Sequence, residues 1–213
     1  MIYSVHQPQY LPWIGFFDKV AASDVFVYLD EVQYKQREFQ NRNKLRTKDG
    51  WMWLTVPVTA ERDTLVRDVA IDGSRDWRVE HAKSLKAWYG SAPFFEKHAA
   101  FFQDVYARVW ERLLALNVEM IRYILDELGI KTRIIFESEL AAGGIKTQRI
   151  INIGKKLGAD TYLSGSGGRD YLEEELFRDA GIKLAYQEYK HPVYRQQFMG
   201  SNHAFLPYMS IVD

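Results

Sequence analysis

The sequence predicts an α/β protein, with a Rossmann-like, mostly parallel sheet flanked by helices and an inserted helical lobe. Three observations carry that reading. Short apolar runs alternate with helically spaced segments at both ends of the chain, a long helical stretch separates the two ends, and polar or glycine-rich segments follow several strands directly. By chain order, 1–75 is the first part of the α/β domain, 76–130 the helical insertion and 131–213 the second part, all expected in a single compact unit.

The apolar start at 2–5 reads as a strand. Pro8 and Pro12 forbid regular structure between them, 14–22 has helical spacing, and after the Ser23-Asp24 break 25–29 reads as a second strand. Strand, crossover and strand make a βαβ unit, so the two strands are expected side by side and parallel. A polar stretch follows over 30–47, and Asp49-Gly50 turns the chain into a third strand at 51–58. Residues 76–128 look helical almost throughout, with breaks at Gly90-Ser91-Ala92-Pro93 and at Leu116-Asn117. Within them Trp88, Phe94, Phe95, Phe101, Phe102, Tyr106 and Trp110 recur at helical steps and are expected to form a buried face. Leu128-Gly129 suits a helix stop. The α/β rhythm then returns, with strands at 132–136, 161–163 and 183–186 and helices at 146–157 and 171–180, expected to complete the sheet begun by the first two strands.

Composition excludes several function classes. The 28 basic and 28 acidic side chains balance, so the chain has no overall field for gathering nucleic acid or an anionic membrane, and any anion site must be local. No apolar run reaches the roughly 18 residues of a membrane span, and the first residues lack the pattern of a signal peptide, so the expected location is cytoplasmic. With zero cysteines there is no disulfide, thiolate chemistry or cysteine-based metal site. No two of the five histidines have the i, i+4 spacing of a zinc helix, and no metal site is expected from spacing alone.

Five polar clusters are site candidates. The segment His6-Gln7-Pro8-Gln9-Tyr10-Leu11-Pro12-Trp13 puts a histidine, two amides and a tyrosine at the end of the first strand, and ligands in open α/β sheets bind at carboxyl ends. His6 is therefore a proton-transfer candidate, with Gln7 and Tyr10 as ligand contacts. The stretch after the second strand carries Lys35, Arg37, Arg42 and Lys44, suited to phosphate, and Gln40, Asn41 and Asn43, suited to sugar or base edges. A solvated loop explains the same composition. Ser164-Gly165-Ser166-Gly167-Gly168-Arg169-Asp170 lies between a strand and a helix, where backbone amides can approach an anion, while Asp170 can equally cap the helix. Thr147 and Arg149 open another helix, and Arg149 sits at its unfavourable positive end unless an anion or a carboxylate compensates. Near the end, His191 beside Pro192 repeats the chemistry of the opening, with Gln197 close behind. Asp30, with Glu31, is placed to help catalysis or to hold magnesium bridging phosphates. His81, His98 and His203 have no such company and are expected to do nothing chemical.

At this point the residues carry a resemblance. His6-Gln7-Pro8, Tyr10-Leu11-Pro12-Trp13, Ser23-Asp24-Val25-Phe26, Gln40-Asn41-Arg42-Asn43-Lys44, Trp53-Leu54-Thr55-Val56-Pro57-Val58, Thr161-Tyr162-Leu163-Ser164-Gly165 and Tyr186-Gln187 resemble the WbqC-like proteins in order and over essentially the whole chain. That family is found in bacterial polysaccharide and O-antigen gene clusters. The resemblance implies a role in making or decorating a sugar nucleotide or lipid-linked glycan, by transfer of an amino-acid, acyl or nucleotidyl-type group. The chain ends at Ile211-Val212-Asp213, short of the family's usual apolar and acidic tail. In layout alone it also resembles nucleotidylyltransferases of the pantothenate synthetase type. Their paired HxGH histidines would fall near Leu11 and Ile14, and Thr147-Gln148-Arg149 is similar to their late phosphate-binding motif.

Two functions follow as expectations. One is a transferase acting on a small phosphate-containing substrate or sugar, with a nucleotide or nucleotide sugar and Mg2+ as the cofactors the layout admits. The other is a non-catalytic ligand-binding or assembly component of the same pathway. A homodimer is compatible with either.

Overall fold

The computed structural model describes residues 1–200 and 204–213. His203 therefore lies outside the described residues. In chain order these contain β1 (Ile2–His6), α1 (Ile14–Ala21), β2 (Val25–Tyr28), β3 (Arg42–Thr47), β4 (Gly50–Thr55), β5 (Val58–Thr59), β6 (Ala70–Ile71), α2 (Trp77–Tyr89), α3 (Phe95–Ala107) and α4 (Leu113–Glu127). Then come β7 (Arg133–Phe136), α5 (Glu137–Leu140), α6 (Lys146–Leu157), β8 (Thr161–Ser164), α7 (Glu174–Asp179) and β9 (Lys183–Tyr186).

The fold is α/β. β7, β2, β1, β8 and β9 form one parallel five-stranded sheet in that order. Numbered along the chain, the order is third, second, first, fourth, fifth. The first two strands are neighbours, and strands from both ends of the chain share the sheet, as the alternation of apolar runs implied. Residues group into two compact units that chain order does not delimit: 1–8, 15–33 and 122–190 in one, and 9–14, 34–121 and 191–213 in the other.

β2, inside the sheet of the first unit, is buried at all four positions, which is why it reads Val-Phe-Val-Tyr without a polar break. Alternation sorts the side chains. Tyr3, Val5, Val25 and Val27 join Ile150, Ile151 and Ile153 of α6, with Tyr162, Phe177 and Ile182, in one core. Ser4, His6 and Phe26 occupy the opposite face with α1, where Phe16 meets Phe26 edge-on at 5.3 Å. α6 lies so close to β1 that a Cβ on Gly154 would sit 2.6 Å from the Tyr3 hydroxyl, which itself donates to the Ile150 carbonyl at 2.8 Å. Gly154→Ala is accordingly expected to destabilise the fold by about 1–3 kcal/mol through overpacking, read from urea unfolding. No loss of stability would show that α6 can shift away from the sheet.

The second unit contains the β3–β4 hairpin, the short β5–β6 pair, α2, α3 and most of α4. Four sequence expectations are corrected here. The polar stretch 30–47 is not loop throughout, because its last six residues are β3, paired with β4 from Arg42↔Thr55 to Thr47↔Gly50. Cations stand where apolar residues were sought: Arg42 lies 4.1 Å from the Trp53 ring and Lys44 4.6 Å from Trp51, so cation–aromatic packing holds the ladder. The third strand, expected over 51–58, is two pieces, since Pro57 cannot donate to a ladder. The second helical break falls at 108–112 and not at Leu116-Asn117. There Leu113 N–H donates to Val69 O and Ile71 N–H to Glu111 O, whereas Asn117 is inside α4 with its amide donating to Gln40 O at 2.8 Å. Of the seven aromatics from Trp88 to Trp110 expected on one buried face, only Tyr106 is buried, and Phe94, just before α3, is 73% exposed.

Candidate functional site

In the first unit the polar groups meet at the carboxyl edge of the sheet. His6 ends β1, and its neighbour on one side is β2, whose Leu29 N–H donates to His6 O at 2.9 Å. On the other side β1 pairs with β8 only at Ile2↔Thr161 and Tyr3↔Tyr162. Beyond that the two strands part. This is also where the chain's strand order reverses, the position at which open α/β sheets bind their ligands.

His6 is half-buried and packs edge-on against Phe16 at 5.5 Å. Its Nδ1 lies 2.9 Å from the Gln7 carbonyl, which can only accept, so Nδ1 carries the proton and Nε2 is left as an acceptor with no hydrogen-bond partner among the described residues. Burial, and then the charge of Lys19, push its pKa down to about 3, so the ring is neutral at neutral pH.

Lys19 is the residue that sequence reasoning passed over. It sits in the last turn of α1, where a cation complements the helix dipole and usually faces water. Here it is 4% exposed. Its Nζ donates to the Val5 carbonyl at 3.2 Å and lies 5.9 Å from the Phe26 ring, and burial pulls its pKa down to about 7. One signal was available: Phe16, Lys19, Val20 and Ser23 fall at i, i+3, i+4 and i+7, which places the lysine on the buried stripe.

The glycine-rich turn begins at this edge. Ser164 is buried, its hydroxyl donating to Gly165 O at 3.0 Å, and Gln187 N–H donates to Ser164 O. Gly168 is buried against Ser164, and a Cβ there would lie 2.0 Å from Ser164 Oγ, so this glycine is required by packing. Gly167 and Asp170 are exposed.

Other residues of the unit are tied internally. Both oxygens of Asp30 accept from Ser138, Oδ1 from its N–H at 3.0 Å and Oδ2 from its hydroxyl at 2.6 Å. Among the described residues no group of three or more His, Asp or Glu is arranged to hold a metal ion. Arg149 bridges the Glu137 carboxylate at 2.8 Å, the Glu31 carbonyl at 3.0 Å and the Gly144 carbonyl at 2.9 Å, which supplies the compensating carboxylate its place in the helix demanded. Thr147 is buried and accepts from Glu173 N–H at 3.2 Å.

The remaining candidates lie in the second unit. Tyr10 is fully buried, with its hydroxyl 2.8 Å from His81 Nδ1 and 2.5 Å from the Tyr106 hydroxyl. Because His81 Nε2 faces the Thr55 carbonyl at 3.1 Å, Nε2 holds the proton and Nδ1 accepts from Tyr10, while burial holds the ring's pKa near 4. Tyr10→Phe breaks this relay and is expected to cost about 1–3 kcal/mol in urea unfolding. An unchanged midpoint would mean the relay contributes nothing. Asn41 donates to Val56 O at 2.9 Å, and Asn43 to Leu11 O at 2.8 Å. Gln40 is buried and accepts from Lys35 N–H at 3.3 Å. Arg37 is exposed, its carbonyl taking an N–H of Arg42, while Lys44 stands over Trp51. His191 is packed among rings, stacked on Trp13 and edge-on to Tyr208, with Nδ1 on Pro192 O at 2.8 Å and Nε2 accepting from Tyr208 N–H at 3.2 Å. Both its nitrogens are thus engaged by backbone. Beside Gln197, it is Gln196 that is buried, bonding Leu206 O and Asp213.

Comparison with known proteins agrees with the resemblance read from the motifs. Residues 7–213 match the WbqC-like protein family. The chain is 33% identical over 216 residues to Uncharacterized protein Rv1507c of Mycobacterium tuberculosis, an alignment covering 99% of this chain and 90% of that protein. No solved structure matches the chain. With the family model matched over 7–213 and a relative 33% identical across 99% of the chain, the chain belongs to the WbqC-like protein family.

Proposed function

We propose that this chain is a cytoplasmic transferase of bacterial surface polysaccharide or nucleotide-sugar metabolism, moving an amino-acid, acyl or nucleotidyl-type group with the help of a phosphate-containing ligand. One observation carries the reading: a neutral histidine with a bare Nε2, His6, stands at the carboxyl end of the central strand where the sheet's order reverses. A hydroxyl or amine attacking the transferred group must lose a proton, and His6 Nε2 is placed to take it. Part of what depresses His6 is positive charge nearby. A phosphate arriving there offsets that charge and returns the ring toward its ordinary range, so the base is strongest when the site is loaded. A magnesium ion would be held by the ligand's phosphates, where it would neutralise their charge, because Asp30 is bonded to Ser138.

The many candidate side chains spent on internal bonds favour a second reading, a non-catalytic binding or assembly component of the same pathway. A panel of nucleotides, nucleotide sugars and Mg2+ does not by itself separate the two. A ligand held at 100 times its Kd is expected to stabilise the fold by about 2.7 kcal/mol under either reading, visible as a raised melting temperature. His6→Ala is the discriminator: loss of glycan product in cells, with the ligand-induced shift retained, supports the transferase. If no panel member shifts the melting temperature and His6→Ala leaves pathway output unchanged, the transferase reading fails.

A further inference from the structure

The gap between β1 and β8 contains a group that the proton transfer at His6 does not use. Carbonyls alternate along a strand, and those of Ile2 and His6 point toward β2, where Asp24 and Leu29 N–H groups take them. Val5 O therefore points the other way, toward β8, at a level where the β1–β8 pairing has already ended. No strand answers it. Lys19 Nζ does, at 3.2 Å.

An ammonium has three N–H donors and no acceptor. Here one donor is met by Val5 O, the Phe26 ring lies beside the group, and no carboxylate pairs with Lys19 among the described residues. Asp18, next in the chain, is exposed and instead accepts from Gln187. The titratable group bearing on Lys19 from the strand is His6. A buried lysine left this way is a costly arrangement for a fold and a favourable one for a ligand that brings negative charge.

The opposite wall of the gap is the start of the glycine-rich turn. A Cβ built on Gly165 would lie 4.0 Å from Lys19 Nζ, so the missing side chain leaves the space in front of the amine open. Gly165 has φ −65° and ψ 161°, a conformation open to any residue, and so its backbone does not require a glycine. The next two amides, of Ser166 and Gly167, make no hydrogen bond among the described residues, whereas Gly168 N–H donates to Gly165 O. Both residues are exposed. An amine on one side and free amides on the other are the donor set an oxyanion needs.

We propose that the gap between the carboxyl ends of β1 and β8 is a phosphate subsite, in which Lys19 Nζ and the backbone amides of Ser166 and Gly167 hold one phosphate group of the ligand. This deepens the reading given above by naming the residues that take the phosphate, and it rests on that reading for the ligand's class. Lys19 supplies charge and position, His6 remains the proton acceptor, and Gly165 keeps the approach clear. Because burial holds the Lys19 pKa near 7, anion binding draws a proton onto the amine.

The test is calorimetric titration of the full chain, its Lys19→Met variant and its Gly165→Val variant with two probes. Inorganic pyrophosphate measures affinity. Sulfate, which has no proton of its own to exchange near neutrality, measures proton linkage through buffers of different ionisation enthalpy. The wild-type chain is expected to bind both and to take up most of one proton at pH 8 and little at pH 6, as an amine with a free pKa of about 7 requires. Lys19→Met is expected to lose roughly tenfold or more in pyrophosphate affinity. Gly165→Val, which leaves every charge in place, should show the same loss by blocking the approach. Absence of pyrophosphate binding by the wild type overturns the subsite. So does equal binding by all three chains, or binding without proton uptake. If nucleotide sugars stabilise wild type and Lys19→Met alike, the subsite falls and the transferase reading stands. If pyrophosphate binds through Lys19 but no nucleotide or nucleotide sugar does, the subsite stands and the transferase reading falls.

Discussion

Lys19→Met is expected to make the free protein more stable at pH 6, by about 3–5 kcal/mol, and progressively less so as the pH approaches 10. The size follows from the fall of the Lys19 pKa from 10.5 to about 7, with each unit worth about 1.4 kcal/mol. The sign follows from which state holds the proton. Below pH 7 the folded and unfolded chains both carry it, and folding bears the whole cost of burying the charge. Between pH 7 and 10.5 the unfolded chain alone carries it, so wild-type stability rises with pH through that window. Above 10.5 neither does. Methionine fills nearly the same volume without a charge and removes the cost at its source. Urea unfolding at pH 6 and pH 10 measures the difference. A Lys19→Met chain less stable than wild type at both values would show that the lysine is held by a favourable pairing and not by a constraint of function. His6 gives a second reading of the same event. Its pKa, depressed to about 3 with the Lys19 charge among the causes, should rise in the variant when followed by NMR.

The second large effect is expected at Arg149. Glu137 is 1% exposed, its Oε1 accepts from Arg149 at 2.8 Å, and its Oε2 is buried with no partner among the described residues. Burial already raises the carboxyl's pKa, and the arginine is what opposes that rise. Arg149→Met leaves the carboxylate alone and is expected to destabilise the fold by about 3–5 kcal/mol at pH 8. The loss should shrink as the pH falls, because the stranded carboxyl, its pKa already raised by burial, takes up a proton and no longer carries a charge. Arg149→Met with Glu137→Gln should recover much of the stability, because no buried charge is left unpaired. Urea unfolding of wild type, Arg149→Met, Glu137→Gln and the double variant at pH 8 and pH 5 makes the comparison. A mild, pH-independent loss for Arg149→Met would free the arginine from this structural role and return it to the candidates for phosphate.

The sheet was legible where the chemistry is periodic. β1, β2 and β9 are short apolar runs between breaks, and α6 carries its isoleucines on one face, so their type and approximate limits followed from spacing. β3 was hidden because Arg42, Lys44 and Arg46 alternate with Asn43, Leu45 and Thr47. Its polarity suggested a loop, and the tryptophans that make the cations acceptable belong to the partner strand. Asn117 looked like a helix break because an amide competes with the backbone when nothing else satisfies it, and here Gln40 O does.

The candidate site was half legible for a related reason. His6 and the Gly165 to Gly168 turn announce themselves by residue type at the end of a strand. Lys19 does not, since a lysine in the last turn of a helix is ordinary, and only the parting of β1 from β8 gives it its place. In the opposite direction, Asn41, Asn43, Asp30 and Arg149 have the side chains of ligand contacts and are bonded within the fold, which no spacing rule distinguishes from binding.

The most direct measurement is the position of a nucleoside diphosphate in a crystal of the full chain. A phosphate group within hydrogen-bonding distance of Lys19 Nζ and the Ser166 and Gly167 amides, with the ligand reaching toward His6 Nε2, is the expected result. A nucleotide bound elsewhere, with the gap between β1 and β8 left without it, would contradict the assignment of this edge as the site.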